Sequence, residues 1–359
     1  MKTFHCTHCQ NLVFFENVRC LSCDHPLAYL PDQNVVAALE ERADGSWLAI
    51  GVEARHDAVR LCTNYSQENV CNWALAADDP DALCTSCRLT RVIPDLSKPN
   101  NRLAWYKLEA AKRRMVYALL ALHLPMLSKS VDPAAGLAFQ FLENSPFGDA
   151  QRVLTGHDNG VITVNIEEAD DVQREQQRTL QHEAYRTLLG HFRHEIGHYY
   201  WDRLIQNGPR VEDVRKLFGD ERADYQAALT AHYQIGPPEH WEQSFISAYA
   251  TMHPWEDWAE SWAHFLHMTD ALETAGAAGL TLKPKRADEP TLTAPVDPLK
   301  PSQSFDRMIE AWGALAHVLN NLNRGLGLPD SYPFVLTSPV IEKLRFVHDT
   351  IVASRGEPD

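Results

Sequence analysis

All eight cysteines of this 359-residue chain fall before residue 88, and the remaining three quarters contain none. That crowding constrains the fold more than any other feature, because so many thiols in one stretch point to disulfides or to bound metal. Cys6-Thr7-His8-Cys9 and Cys20-Leu21-Ser22-Cys23 are two CxxC pairs ten residues apart. Each pair can turn two thiolates toward one tetrahedral ion, and the spacing predicts a small zinc ribbon. Cys62, Cys71, Cys84 and Cys87 end in a further CxxC and predict a second four-sulfur site, looser in its first half. His5, His8 and His25 flank the first quartet, where four sulfurs already fill the shell.

Disulfides need an oxidising compartment. The start, Met1-Lys2-Thr3-Phe4-His5-Cys6, has no apolar run after its charge, and no stretch reaches the roughly 18 apolar residues of a membrane span. The expectation is a cytoplasmic protein, away from the membrane, whose cysteines hold structural zinc. Iron is chemically admissible at either quartet, and a redox role for Cys84 and Cys87 lacks the strand and helix context of such motifs.

Charge narrows the partners. The chain carries 33 Lys and Arg against 48 Asp and Glu, a net of −15, with 45% hydrophobic residues. Through Asp95 there are seven basic and thirteen acidic residues, and metal-bound thiolates add negative charge. No basic footprint exists, so nucleic acid is not an expected partner, and docking a protein or stabilising the fold suits the ribbon better.

Ser97-Lys98-Pro99-Asn100-Asn101 marks a polar break, which predicts a cysteine-rich region over 1–96 and a second domain over 97–359. Arg102 to Leu122 reads as an amphipathic helix ended by Pro125. Residues 160–166 alternate as a strand, and 172–204 read as one long helix or two abutting ones. Five prolines between Leu282 and Pro301 predict an extended surface crossing. Phe305 to Leu322 and Pro339 to Val352 read as helices, the latter capped by Ser338. The fold class is α+β: a small zinc ribbon, then a mainly helical domain with a small sheet.

His194-Glu195-Ile196-Gly197-His198 matches HExxH inside the long helical stretch. Residues i and i+4 share a helix face, so both histidines can present nitrogen to one Zn²⁺, while Glu195 reaches the water on the metal. With 17 histidines in the chain, about 0.05 accidental matches are expected. A structural histidine pair is the bland alternative. Gln181-His182-Glu183 begins a similar pattern, but Arg186 stands where the second histidine is required. Gly197 costs roughly 1 kcal/mol relative to alanine within a helix, and close packing against a neighbouring strand would explain it.

A catalytic zinc wants a third protein ligand and one open position. Tyr199-Tyr200-Trp201-Asp202 after the motif closes the route to a third histidine there. Downstream, His253-Pro254-Trp255-Glu256-Asp257-Trp258-Ala259-Glu260-Ser261-Trp262-Ala263-His264 starts with a first-turn proline. Its Trp255, Trp258, Trp262 and Phe265 make a core stripe beside Glu256, Glu260 and His264, one turn apart. Polar side chains so placed need a partner, and a metal with its histidines would supply it.

The HExxH helix followed by a later helix with a glutamate and an acid four residues on looks like the gluzincin metallopeptidases. The ribbon, RHEIGHYYWDRL, GDERADY and HPWEDWAESWAHFLH together resemble a bacterial family of zinc-binding metallopeptidases, over most of the chain before Pro284. The resemblance implies a zincin-like domain in which Glu256 is the third ligand and Glu260 orients a histidine. From the residues alone the reverse assignment stays open, with Asp257 a third choice. It also implies hydrolysis of a peptide or protein by a zinc-activated water, with Glu195 as general base. Tyr249 is the first choice among Tyr225, Tyr233, His232 and His253 for a donor to the oxyanion. Zn²⁺ is then expected at one catalytic and two structural sites. The strand near residues 161–166 is expected to border the cleft as an edge for an extended substrate. Asp220, Glu221, Arg222 and Asp224 read as a solvated or ion-paired segment. The competing class is a non-catalytic, zinc-stapled binding module.

Overall fold

The computed structural model describes residues 1–53, 58–145, 153–180, 186–286, 288–294, 296–300 and 302–355. The Gln181-His182-Glu183 segment lies outside them. Each of the first two CxxC pairs closes a knuckle. Gln10 and Asp24, one residue past Cys9 and Cys23, take left-handed conformations with φ of 62° and 65°. Their amides bond back to the carbonyls of Cys6 and Cys20 at 2.9 Å. Strands β1 (Phe4–His5) and β2 (Leu12–Val13) pair antiparallel across the first knuckle.

A five-stranded antiparallel meander follows: β3 (Leu27–Leu30), β4 (Val35–Glu41), β5 (Trp47–Ile50), β6 (Val59–Leu61) and β7 (Ala74–Ala76). The short helix α1 (Thr63–Ser66) lies between its last two strands. Val36, Ala37, Ala38 and Leu39 of β4 are all buried, so both faces of that strand are covered and the sequence shows no alternation there.

Strand β8 (Thr90–Val92) leads into α2 (Asn101–Ala121), the predicted amphipathic helix. Next come β9 (Ala138–Leu142), β10 (Gly156–Asp158) and β11 (Val161–Asn165). These strands form a mixed sheet in the order β10-β11-β9-β8. β11 is the strand expected near residues 161–166, but it is interior, antiparallel to β10 and parallel to β9. It has no free edge; β10 does. The β10–β11 hairpin turns through Asn159 and Gly160, both at positive φ (44° and 77°), as a two-residue loop requires.

The stretch read as one or two helices is two: α3 (Asp171–Leu180) and α4 (Leu188–Leu204). After them come α5 (Val211–Phe218), α6 (Tyr225–Ile235), α7 (Pro254–Ala277), α8 (Phe305–Gly325) and α9 (Ser338–Ser354). Thr337, not Ser338, occupies the cap position of α9, with Pro339 in its first turn. Between α7 and α8, Leu282 bridges Leu292 in an otherwise irregular crossing.

Helix α4 lies along α7. Tyr200 stacks on Trp262 with ring centroids 4.8 Å apart, and Trp201 meets Trp258 edge-on at 5.8 Å. One apolar core runs from Phe4 and Phe15 through Tyr117 and Trp105 of α2 to Trp258 and Leu344. Among the described residues no helix is long and apolar enough to cross a membrane.

Candidate metal centres

The eight cysteines form two quartets and no disulfide. Sγ–Sγ separations are 3.6 Å for Cys6–Cys23 and for Cys9–Cys20, and 3.8 Å for Cys71–Cys84. A tetrahedron with metal–sulfur bonds of about 2.3 Å has edges of about 3.8 Å, so both quartets fit one zinc each. Backbone amides point at the sulfurs of the second quartet: Cys84 donates to Cys62 Sγ and Trp73 to Cys71 Sγ, each at 3.4 Å. That quartet is wholly buried.

The floor beneath it holds two buried cations of α2, Lys112 and Arg113. Arg113 donates to the carbonyl of Val70 at 2.6 Å. Burial would lower its pKa, but the thiols of Cys71, Cys87 and Cys84 together with Glu109 raise it. Lys112 pairs with Glu109 at 2.8 Å and also donates to Thr90 of β8. Four thiolates around a divalent ion are a buried dianion, and these side chains supply its counter-charge.

The third centre is built on α4 and α7. Thr187 starts α4 by accepting from the amide of Gly190 at 3.0 Å. His194 and His198 then stand one turn apart with Nε2 atoms 3.2 Å from each other. Pro254 and the capping His253 start α7 and put Glu256 in its first turn, where the helix dipole favours a carboxylate. Glu256 Oε2 lies 2.9 Å from His194 Nε2 and 3.4 Å from His198 Nε2.

These three separations match the roughly 3.3 Å edge of a tetrahedron with bonds of about 2.0–2.1 Å. The chemistry of the donors agrees. His194 Nδ1 faces Glu260 Oε1 at 2.7 Å, and a neutral ring that donates there turns a lone pair toward Glu256. Two imidazole nitrogens and a carboxylate oxygen facing one another share either a proton, which Glu256 and Glu260 favour on His194, or a metal ion. The residues therefore fit a divalent ion.

The surroundings move the three acids in different directions. Burial would raise Glu260, but its bond with His194, the charge of His194 and His264 and the Ser247 hydroxyl together hold it at about 2. Glu260 Oε2 also accepts from Ser247 at 2.6 Å. Burial would raise Glu256 too, yet His198 and His194 pull it well below the usual range. For Glu195, burial wins and its carboxyl moves up; its Oε2 is buried without a hydrogen bond.

The remaining expected residues separate clearly. Asp257 turns away to Lys343 of α9 at 2.6 Å, and His264 bonds the hydroxyl of Tyr332 at 2.8 Å. The Tyr249 ring stands 5.9 Å from that of His194 and 5.7 Å from that of His232. Tyr225 donates to Glu256 Oε1 at 2.9 Å. The charged segment is ion-paired: Arg215 holds Glu221 at 2.6 Å, Arg222 holds Asp220 at 2.7 Å, and Asp224 caps α6. Gly197 packs on a helix, not a strand; a Cβ there would lie 3.0 Å from Ala259 Cα and 3.1 Å from Trp262 Cβ.

Three neighbours carried no usable sequence signal. Ser247 precedes α7 in an irregular stretch. Trp255, which reads as core, is half-buried and lies 3.8 Å from the His198 ring. His157 of β10 reaches within 6.4 Å of the same ring only through the sheet pairing.

Comparison with known proteins agrees with this layout. A family model described as a "putative zinc-binding metallo-peptidase" matches residues 101–350, and a zinc-ribbon domain model matches residues 3–98. Uncharacterized proteins of Mycobacterium tuberculosis (strain ATCC 25618 / H37Rv) and Mycobacterium bovis (strain ATCC BAA-935 / AF2122/97) are each 42% identical over 361 residues. Those matches span 100% of this chain and 98% of each relative. No solved structure matches. With a matched model over most of its length behind a zinc-ribbon region, the chain belongs to this zinc-binding metallo-peptidase family.

Proposed function

We propose that the chain is a zinc-dependent peptidase, and that His194, His198 and Glu256 hold its catalytic ion. The convergence of the two Nε2 atoms and Glu256 Oε2 within 3.4 Å carries this reading. A divalent ion held there supplies Lewis-acid polarisation of a peptide carbonyl and of water. Glu195 takes the proton from the attacking water and returns it to the leaving amine; its raised pKa suits both roles. Glu260 fixes the tautomer of His194.

Tyr249, kept protonated by burial, is the proposed donor to the developing oxyanion. Tyr225 is committed to Glu256 and serves to position it. The substrate is a peptide or protein, and the edge that could align it is β10 rather than β11, since β10 is the outer strand and carries His157 toward the site. Helix α6 lies over the centre through Tyr225 and His232, and none of its residues is buried.

Glu195→Gln tests the scheme. Metal content should stay at the wild-type level while peptide hydrolysis falls by roughly 10²–10⁴-fold. An unchanged rate removes Glu195 as the base. A wild-type chain that binds the third ion but cleaves no peptide in a broad library leaves the zinc-stapled binding module.

A further inference from the structure

The first quartet is unevenly buried: Cys6 and Cys20 are enclosed, whereas Cys9 and Cys23 are half-exposed. Beside Cys23, the imidazoles of His8 and His25 lie face to face, with centroids 4.2 Å apart and planes 32° from parallel. A ring nitrogen of each and Cys23 Sγ all lie within 4.8 Å of one another. This is a second group of donors abutting the first, and the four-sulfur site does not use the two histidines.

Local chemistry prepares these rings as ligands. His25 Nδ1 faces the carbonyl oxygen of Cys23 at 3.2 Å. A carbonyl can only accept, so the neutral ring carries its proton on Nδ1 and leaves Nε2 with a free lone pair. The turn through Asp24, at φ 65°, brings His25 back against Cys23. His8 comes from inside the opposite CxxC loop and is exposed, so its ring can rotate at little cost. A zinc ion with four thiolates carries a net charge of about −2, which attracts a further cation, and a half-exposed thiolate retains lone pairs to share.

We propose that His8, His25 and the thiolate of Cys23 form an additional transition-metal site, bridged through Cys23 to the ribbon ion and suited to a borderline divalent cation such as Zn²⁺ or Co²⁺. The site has three protein donors, one of them a thiolate shared with the ribbon ion, against four thiolates in each quartet. It therefore binds its ion more weakly than either quartet. It is independent of the peptidase reading.

The test uses the full-length chain with its tight sites filled. Equilibrium dialysis against increasing free Zn²⁺ should show one more bound equivalent in wild type than in the His8→Ala/His25→Ala double variant, whose tight zinc is unchanged. Equal stoichiometry in the two proteins overturns the proposal. Should the double variant lose ribbon zinc as well, wild type alone decides. Extra Zn²⁺ then protects His8 and His25 from diethylpyrocarbonate, read by mass spectrometry, or fails to protect them and refutes the site.

Discussion

Glu260 and His194 sit on different helices, 66 residues apart in sequence, yet Glu260 Oε1 and His194 Nδ1 meet at 2.7 Å. The contact ties the rotation of one imidazole to the helix that also carries Glu256. Glu260→Ala should therefore weaken zinc binding at this centre by roughly 10–100-fold. Competition with a chromophoric chelator reads the affinity; a variant that binds as tightly as wild type would show that Glu260 orients nothing.

Gly197 lets α4 and α7 approach closely enough for their donors to converge. In Gly197→Ala the added Cβ meets the Ala259 backbone, so the helices must shift apart by a few tenths of an ångström. We expect a stability loss of about 1–3 kcal/mol together with weaker zinc binding at the proposed site of His194, His198 and Glu256. Thermal unfolding and metal analysis check this, and the two cysteine sites should remain filled.

Lys112 and Glu109 are both fully buried, and burial raises the pKa of Glu109 despite the attraction of Lys112. Replacing Glu109 by Ala breaks a buried ion pair and removes the carboxylate nearest Lys112, for an expected loss of about 3–5 kcal/mol. Glu109→Leu combined with Lys112→Met should recover much of that. Denaturant titration of the single and double variants gives the comparison.

Chelation should empty the three centres in a fixed order. The site on α4 and α7 has three protein donors and yields first. The first quartet, with Cys9 and Cys23 half-exposed, follows, and the enclosed second quartet is last. Following Co²⁺-substituted protein by its absorption bands during EDTA treatment distinguishes nitrogen–oxygen from sulfur coordination. Simultaneous release would contradict the order.

What the sequence made legible was local. The cysteine pairs and His194/His198 announce themselves because their spacing equals the geometry of a knuckle or a helix turn. Glu256 and Glu260 were both visible as candidates, but they share a helix face, so spacing could not rank them; the approach of α4 decides which oxygen meets Nε2 and which meets Nδ1. The wrong edge strand has the same origin. β11 alternates well, but its place inside the sheet is set by pairing with β9 and β10. The meander over β3 to β7 was hidden because β4 is covered on both faces. The Glu109–Lys112–Thr90 cluster joins β8 to α2 across 19 to 22 residues, and nothing in either segment alone foretells it.

Strand β8 belongs to the stretch matched by the ribbon model, yet it forms one border of the sheet that packs on α4, next to β9. A truncated chain starting at residue 99 would leave β9 with bare amides and carbonyls along one side, an invitation to intermolecular pairing. It would also strip Lys112 and Arg113 of the thiolates they face. The two halves are thus not interchangeable modules, and a fragment prepared without the ribbon should emerge as aggregate rather than as a minimal enzyme.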